Sequence, residues 1–88
     1  MEEKLLKIIN HYGFRNQLRK FNEETYELIE AMLDYKEPFS SKEHITEELA
    51  DTMVLLEQFK LYYGITSEEI TKIFWSKVDR QLERMKNE

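Results

Sequence analysis

The sequence predicts an all-α fold, and three observations support this prediction. The chain of 88 residues has only two glycines and one proline, so it offers few places to turn. Apolar residues recur at steps of three and four over long segments, the spacing of one helix face. No segment alternates apolar and polar residues as a strand does. We expect a four-helix bundle with a short first helix, forming one domain over residues 1–88. A core this small favours completion by oligomerisation.

Gly13 separates the first two predicted helices. We expect the first helix over residues 2 to 12 and the second over residues 14 to 35 or 36. Pro38 disfavours helix at the residue before it, so the second helix must end there. The apolar spacing of this helix predicts one buried seam, formed by Phe14, Leu18, Phe21, Thr25, Leu28, Met32 and Tyr35.

The third helix is expected over residues 42 to 63. Ser40 or Ser41 can cap its start, and Gly64 is well placed to end it. Its predicted seam consists of Ile45, Leu49, Thr52, Met53, Leu56, Phe59 and Tyr63. Thr66 followed by Glu69 matches a capping box, so we expect a fourth helix to begin near residue 67.

Charge and composition exclude several classes of protein. A net charge of −5 argues against general binding to nucleic acid. Without cysteine the chain has no disulfide and no thiolate metal site. No apolar run approaches the ~20 residues of a membrane span, and the charged start of the chain lacks the pattern of a signal peptide. We therefore expect a cytoplasmic protein with no membrane partner.

Two acidic pairs stand out, one on each of the two long helices. Glu24 and Glu27 are three residues apart on the second helix, and so are Glu48 and Asp51 on the third. Residues at this spacing share one side of a helix, where like charges repel. At about 100° per residue, both pairs lie at equal offsets on the same side of their seams.

These pairs predict a metal site if the two helices pack antiparallel, because four carboxylates then converge. Oxygen ligands without histidine or thiolate select Mg²⁺, or Mn²⁺, over zinc. The alternative is a solvated acidic face, the usual location of a single helical glutamate. Di-metal carboxylate bundles are a third possibility, but their Glu-x-x-His pairs are not found at these positions.

The order Glu23-Glu24-x-x-Glu27 followed by Glu48-x-x-Asp51 resembles the EExxE…ExxD signature of the MazG-like all-α nucleoside triphosphate pyrophosphohydrolases. The resemblance covers nearly the whole chain. It implies hydrolysis between the α- and β-phosphates, giving a nucleoside monophosphate and pyrophosphate. By the same resemblance, Glu24, Glu27, Glu48 and Asp51 would bind Mg²⁺, and Glu23, Glu24 or Glu27 would orient or deprotonate the attacking water.

Other residues are candidates for binding the substrate. Lys77 and Arg80 of the fourth helix are candidate phosphate ligands, with exposed surface charge as the alternative. Lys20 could contact phosphate or pair with Glu24 at i+4. Gln17 could hydrogen-bond a base edge or be an exposed polar residue.

The function expected from the sequence is therefore that of a Mg²⁺-dependent nucleotide pyrophosphohydrolase, working as a homodimer or homotetramer. Two alternatives stay open. One is a non-catalytic helical interaction module that retains the fold, and the other is a simple metal-binding bundle. The sequence does not indicate which base or sugar is preferred.

Overall fold

The computed structural model of the protein describes residues 2–33 and 41–88. These contain four α-helices and no strand, as the sequence predicts. The helices are α1 (Glu2–Tyr12), α2 (Phe14–Leu33), α3 (Lys42–Tyr62) and α4 (Ser67–Lys86). The predicted all-α fold is confirmed. The end of the second helix expected at residue 35 or 36, its seam residue Tyr35 and the alternative cap Ser40 lie outside the described residues.

Glycines with positive φ end α1 and α3. Gly13 has φ of 89°, and its backbone N–H donates to the carbonyl of Ile9. Gly64 has φ of 68°, and the N–H of Ile65 donates across it to the carbonyl of Lys60. Glycine adopts this left-handed conformation without steric cost, which explains why both helices end at these positions.

Hydroxyl side chains cap the two C-terminal helices. The Ser41 Oγ accepts from the N–H of His44 at 3.0 Å, so the cap alternative at position 41 is confirmed. At α4, Thr66 Oγ1 accepts from the N–H of Glu69, and the Glu69 carboxylate accepts from the N–H of Thr66. This reciprocal pair is the predicted capping box.

Helices α1, α2 and α3 pack against one another and form the body of the molecule. The start of α2 meets the end of α3, because the Phe14 ring stacks on Tyr62 at 4.3 Å and touches Phe59 at 5.9 Å. These two helices are therefore antiparallel. The buried apolar residues of this body are Ile9, Leu28, Ala31 and Leu55.

The buried faces of α2 and α3 differ in part from the predicted seams. The exposed seam positions are Leu18, Met32, Leu49, Met53, Leu56 and Tyr63. The buried face of each helix is rotated from the predicted seam toward its carboxylates, because the buried residues are Gln17, Glu24, Leu28 and Ala31 on α2 and Leu55 and Gln58 on α3. These buried faces include the polar residues Gln17 and Glu24 on α2 and Gln58 on α3, so the periodicity of apolar residues does not indicate them.

In the described chain, helix α4 does not pack along α1, α2 or α3, and the Nζ of Lys60 on α3 donates to the Oγ of Ser67 at the start of α4 at 3.2 Å. Its large apolar side chains are exposed: Ile70, Ile73, Phe74, Trp75, Leu82 and Met85. The radius of gyration is 16.1 Å, whereas a compact chain of this length is expected at about 12 Å. None of the described helices combines the length and hydropathy needed to cross a membrane.

Candidate metal centre

Three carboxylates converge between α2 and α3. One oxygen each from Glu24, Glu27 and Glu48 lies within 4.8 Å of the other two. The antiparallel packing produces this arrangement, because it sets Glu27 of α2 opposite Glu48 of α3. The sequence prediction that the acidic pairs of the two helices meet is thus realised for these three side chains.

Two members of the cluster are nearly buried. The side chain of Glu24 is 8% exposed and that of Glu48 is 12% exposed. The Oε2 atoms of both are inaccessible to solvent and accept no hydrogen bond from any of residues 2–33 and 41–88. A buried carboxylate oxygen without a partner is costly, and proteins pair such a group or place a metal against it. The two unpartnered oxygens therefore fit a cation with hard oxygen ligands.

Glu48 experiences the repulsion within the cluster most clearly. Burial raises its pKa above the ordinary value, and the nearby carboxylates of Glu27 and Glu24 raise the pKa further. The His44 imidazole works in the opposite direction, with its Nε2 4.0 Å from Glu48 Oε1. A cation bound here would relieve the same repulsion, because it favours the ionised carboxylate.

Lys20 is the basic residue nearest the cluster on α2. Its Nζ lies 3.1 Å from Glu24 Oε1, so the pairing predicted at i+4 is present. The hydrogen bond to Glu24 raises the pKa of Lys20, and the charge of Glu24 acts in the same direction. The side chain of Lys20 is 55% exposed, which leaves its ammonium group accessible to an anionic ligand as well.

A groove of about 680 Å³ runs from the cluster along α2 and α3 toward the end of α1. Glu24, Asp51 and the exposed Glu23 line its acidic end. Asp51 is itself exposed and is not one of the three converging ligands. It faces the groove beside Glu24, so it can reach a ligand that lies there.

The rest of this groove offers polar and aromatic groups. Arg19 and Lys20 supply cations along α2, and the ring of Tyr12 lies at the far end. The remaining lining residues are Asn16, Gln17, Val54, Leu55 and Gln58. A second groove of about 490 Å³ opens on the other side of the cluster, lined by Glu27, Glu48, His44 and Ala31 among others. Thus a groove flanks the cluster on each side, lined by Glu24 on one side and by Glu27 and Glu48 on the other.

The remaining predicted site residues fall in two places. Gln17 is buried rather than exposed, and its Nε2 donates to Gln58 Oε1 at 2.8 Å. Lys77 and Arg80 are exposed on α4, which in the described chain does not pack along the helices that carry the carboxylates. A single chain therefore does not bring Lys77 or Arg80 to the cluster.

Gln58 is the groove residue that sequence reasoning missed. It lies at the buried centre of the body, 1% exposed, although glutamine is usually a surface residue. A signal was present in the spacing. Seven residues separate Gln17 from Glu24 on α2, and seven separate Asp51 from Gln58 on α3. In an antiparallel pair of helices, these equal spacings place Gln17 opposite Gln58 when Glu24 lies opposite Asp51.

Comparison with models of known protein families gave no match, and neither did comparison with curated proteins or with solved structures.

Proposed function

We propose that the protein is a Mg²⁺-dependent nucleoside triphosphate pyrophosphohydrolase of the MazG-like type, acting in the cytoplasm. The observation that carries this proposal is the carboxylate cluster with its two buried, unpartnered oxygens on Glu24 and Glu48. The packing of the helices does not require converging carboxylates, whereas the binding of a divalent cation does. The groove beside the cluster supports a ligand with anionic and aromatic parts.

Glu24, Glu27 and Glu48 would bind the metal, and Asp51 would complete the site from the groove side. Bound there, Mg²⁺, or Mn²⁺ in its place, would neutralise the charge of the phosphates. Lys20 lies next to Glu24 with an accessible ammonium group, so it would bind a phosphate oxygen at the same end of the groove.

The proposed reaction uses one water per nucleotide. The water oxygen forms a bond to the α-phosphorus while the bond to the bridging oxygen of the β-phosphate breaks. Pyrophosphate leaves, and the water proton passes to a carboxylate. Glu23 is a suitable acceptor because it is exposed and lines the groove beside Glu24. Glu24 and Glu27 would act chiefly as ligands that hold the attacking water in line.

Pyrophosphate release from a panel of standard and modified nucleoside triphosphates, with and without Mg²⁺, tests this proposal. We expect release only with the metal. Glu27→Gln and Asp51→Asn should abolish release while retaining the helical circular dichroism spectrum. Glu47→Gln is the matched control, because Glu47 is an exposed glutamate of the same helix as Asp51 that lines neither groove. Absence of both hydrolysis and Mg²⁺ binding would rule out the enzyme.

The exposed apolar surface of α4 favours a second candidate, a helical module whose role is to bind another protein chain. The two functions are separable. An interaction module would associate through α4 with or without Mg²⁺, and its association would be unchanged by Glu27→Gln. Metal-dependent nucleotide cleavage would favour the enzyme whatever α4 binds.

We propose self-association through α4 as part of the enzyme. The segment from Lys72 to Lys86 has five basic and two acidic residues, whereas α2 and α3 together are acidic. A second copy of the chain therefore offers a complementary charge as well as exposed apolar side chains. In such a homodimer or homotetramer, Lys77 and Arg80 of one copy would reach the carboxylate cluster of another.

A further inference from the structure

The floor of the groove contains a buried amide pair. Gln17 is 7% exposed and Gln58 is 1% exposed, and one hydrogen bond of 2.8 Å joins them across α2 and α3. Two apolar side chains of the same shape would hold the helices together equally well, because one such bond contributes little net stability. A buried polar pair that lines a groove therefore suggests a role in binding.

Each amide has one group left for a ligand. The bond uses the NH₂ of Gln17 and the carbonyl of Gln58, which leaves the Gln17 carbonyl and the Gln58 NH₂. Both residues line the groove. Neither remaining group is among the sealed, unpartnered polar atoms of the described residues. The pair thus presents one acceptor and one donor side by side.

The position of the pair along the groove matches the layout of a nucleotide. Gln17 lies seven residues, about 10 Å, from Glu24 along α2. The ring of Tyr12, 57% exposed, lies at the end of the groove away from the carboxylates. From one end to the other the groove therefore offers an aromatic ring, an amide pair, a cation and carboxylates.

We propose that Gln17 and Gln58 together bind the hydrogen-bonding edge of a nucleobase. This rests on the proposed function, because it takes the ligand to be a nucleotide. An adjacent donor and acceptor complement the edge of adenine or cytosine, which presents a ring nitrogen beside an amino group. If both amide groups rotate by 180°, the Gln58 NH₂ donates to the Gln17 carbonyl. The Gln17 NH₂ and the Gln58 carbonyl then remain for a ligand, and they complement the keto bases guanine and uracil. The pair accordingly accepts both classes of base.

Side-chain amide NMR signals report on this pair directly. The ¹⁵N-labelled protein, without metal, is titrated with adenosine and guanosine 5′-monophosphates. We expect the Nε2 signals of Gln17 and Gln58 to shift with both nucleotides. Gln81, exposed on α4, is the internal control and should not shift. Ribose 5-phosphate, which lacks the base, should leave all three unchanged. Unshifted signals of Gln17 and Gln58 at saturating nucleotide would overturn the proposal.

Substitution separates recognition from structure. The double variant Gln17→Met, Gln58→Met preserves shape while it removes the amides. We expect its affinity for nucleoside monophosphates to fall by about tenfold, the effect of one or two lost hydrogen bonds. Mg²⁺ binding should be unchanged, and Gln81→Met should have no effect. Unchanged nucleotide affinity in the double variant would mean that the pair is a structural clamp.

A charged variant makes the prediction sharper and does not depend on the double variant folding. In Gln58→Glu the carboxylate accepts from Gln17 and offers only acceptors to the groove. Guanine presents two adjacent donors, whereas adenine presents one, so we expect preference for guanosine monophosphate by about tenfold. Equal affinity for the two nucleotides in Gln58→Glu would contradict base recognition by this pair.

The results also separate this inference from the proposed function. Nucleotide-dependent shifts at Gln17 and Gln58 without any pyrophosphate release would leave the base site standing and remove the enzyme. Pyrophosphate release with unaltered base preference in Gln58→Glu would keep the enzyme and remove the base site.

Discussion

At the scale of single residues, the carboxylates of Glu24 and Glu48 determine what the protein can bind. Each has one oxygen that is sealed from water and accepts no hydrogen bond within the part of the chain that the structure describes, and a third carboxylate, that of Glu27, lies beside them. Ionised groups in such surroundings repel one another and lose hydration. They therefore lower the stability of the metal-free protein and favour the binding of a cation.

The pH dependence of unfolding in Glu48→Gln tests whether this carboxylate destabilises the metal-free protein. The folded-state pKa of Glu48 is raised above its ordinary value of 4.5 by burial and by Glu27 and Glu24. The stability contributed by this group is thus fully present below pH 4.5 and is lost as the pH rises through the folded pKa. We expect the Gln variant to unfold at higher urea concentration than the wild type at pH 7, without metal, with the difference shrinking toward pH 4.

The control for this experiment is Glu47→Gln, which makes the same change at an exposed neighbouring position. It should leave the pH dependence of unfolding as in the wild type. A Glu48→Gln variant that is less stable than the wild type at pH 7 would show that the carboxylate stabilises the metal-free fold, for instance through His44.

At the scale of helices, residues close in sequence determine where each helix begins and ends, whereas contacts with other helices determine which face is buried. Gly13 and Gly64 end α1 and α3 through a left-handed backbone conformation, and Thr66 with Glu69 starts α4. These signals act over a few residues. The α4 helix depends on them more than the others do, because no face of it packs along another described helix and its link to α3 is the hydrogen bond from Lys60 to Ser67.

Thr66→Ala removes one half of the capping box. We expect a loss of about 1 kcal/mol of helix stability, the usual effect of removing such a cap. Because α4 stands apart from the packed body, the loss should appear as reduced helical circular dichroism at low protein concentration. Ser76→Ala, in the middle of α4, should preserve or increase helicity. Equal helicity in Thr66→Ala and the wild type would mean that something other than the cap holds α4.

At the scale of the whole molecule, the exposed α4 explains the extended shape and predicts self-association. Its apolar side chains would be unusually exposed in an isolated chain, and exposed patches of this kind mark interaction surfaces. The predicted seam positions left exposed on α2 and α3, such as Leu49 and Met53, offer matching apolar surface. Both sets of residues would be buried in a dimer.

Light scattering after size-exclusion chromatography tests the self-association. We expect the wild type to elute as a dimer or tetramer, and the double variant Ile73→Glu, Phe74→Glu to be monomeric because buried charges oppose association. Ser76→Glu adds charge to the same helix at a position without an apolar side chain and should remain associated. A monomeric wild type at tens of micromolar would contradict this prediction.

Lys77→Ala tests whether α4 of a second copy serves the site. We expect weaker nucleotide binding, with Mg²⁺ binding preserved, since Lys77 lies far from the carboxylates of its own chain. Lys72→Ala is a matched control on the same helix. Mixing Lys77→Ala with Glu27→Gln should restore part of the activity if the two residues act from different copies. Unchanged substrate affinity in Lys77→Ala would remove Lys77 from the site.

The helices, their caps and the carboxylates could all be predicted from the sequence. Helix periodicity, two glycines and the Thr66 capping box depend on residues close in sequence, so they can be predicted without the tertiary structure. The matched spacing of Glu24 with Glu27 and of Glu48 with Asp51 also predicted that the two helices bring carboxylates together, and three of these four converge.

Which faces are buried and which groups share the groove depends instead on how the helices pack. The rotation of α2 and α3 depends on packing between side chains distant in sequence, and the buried faces include polar residues that apolar periodicity does not indicate. That rotation buries Glu24, leaves Asp51 at the groove and brings Gln17 to Gln58. Helix α4 lies outside this packing in the described chain, and its capping box sets its start locally.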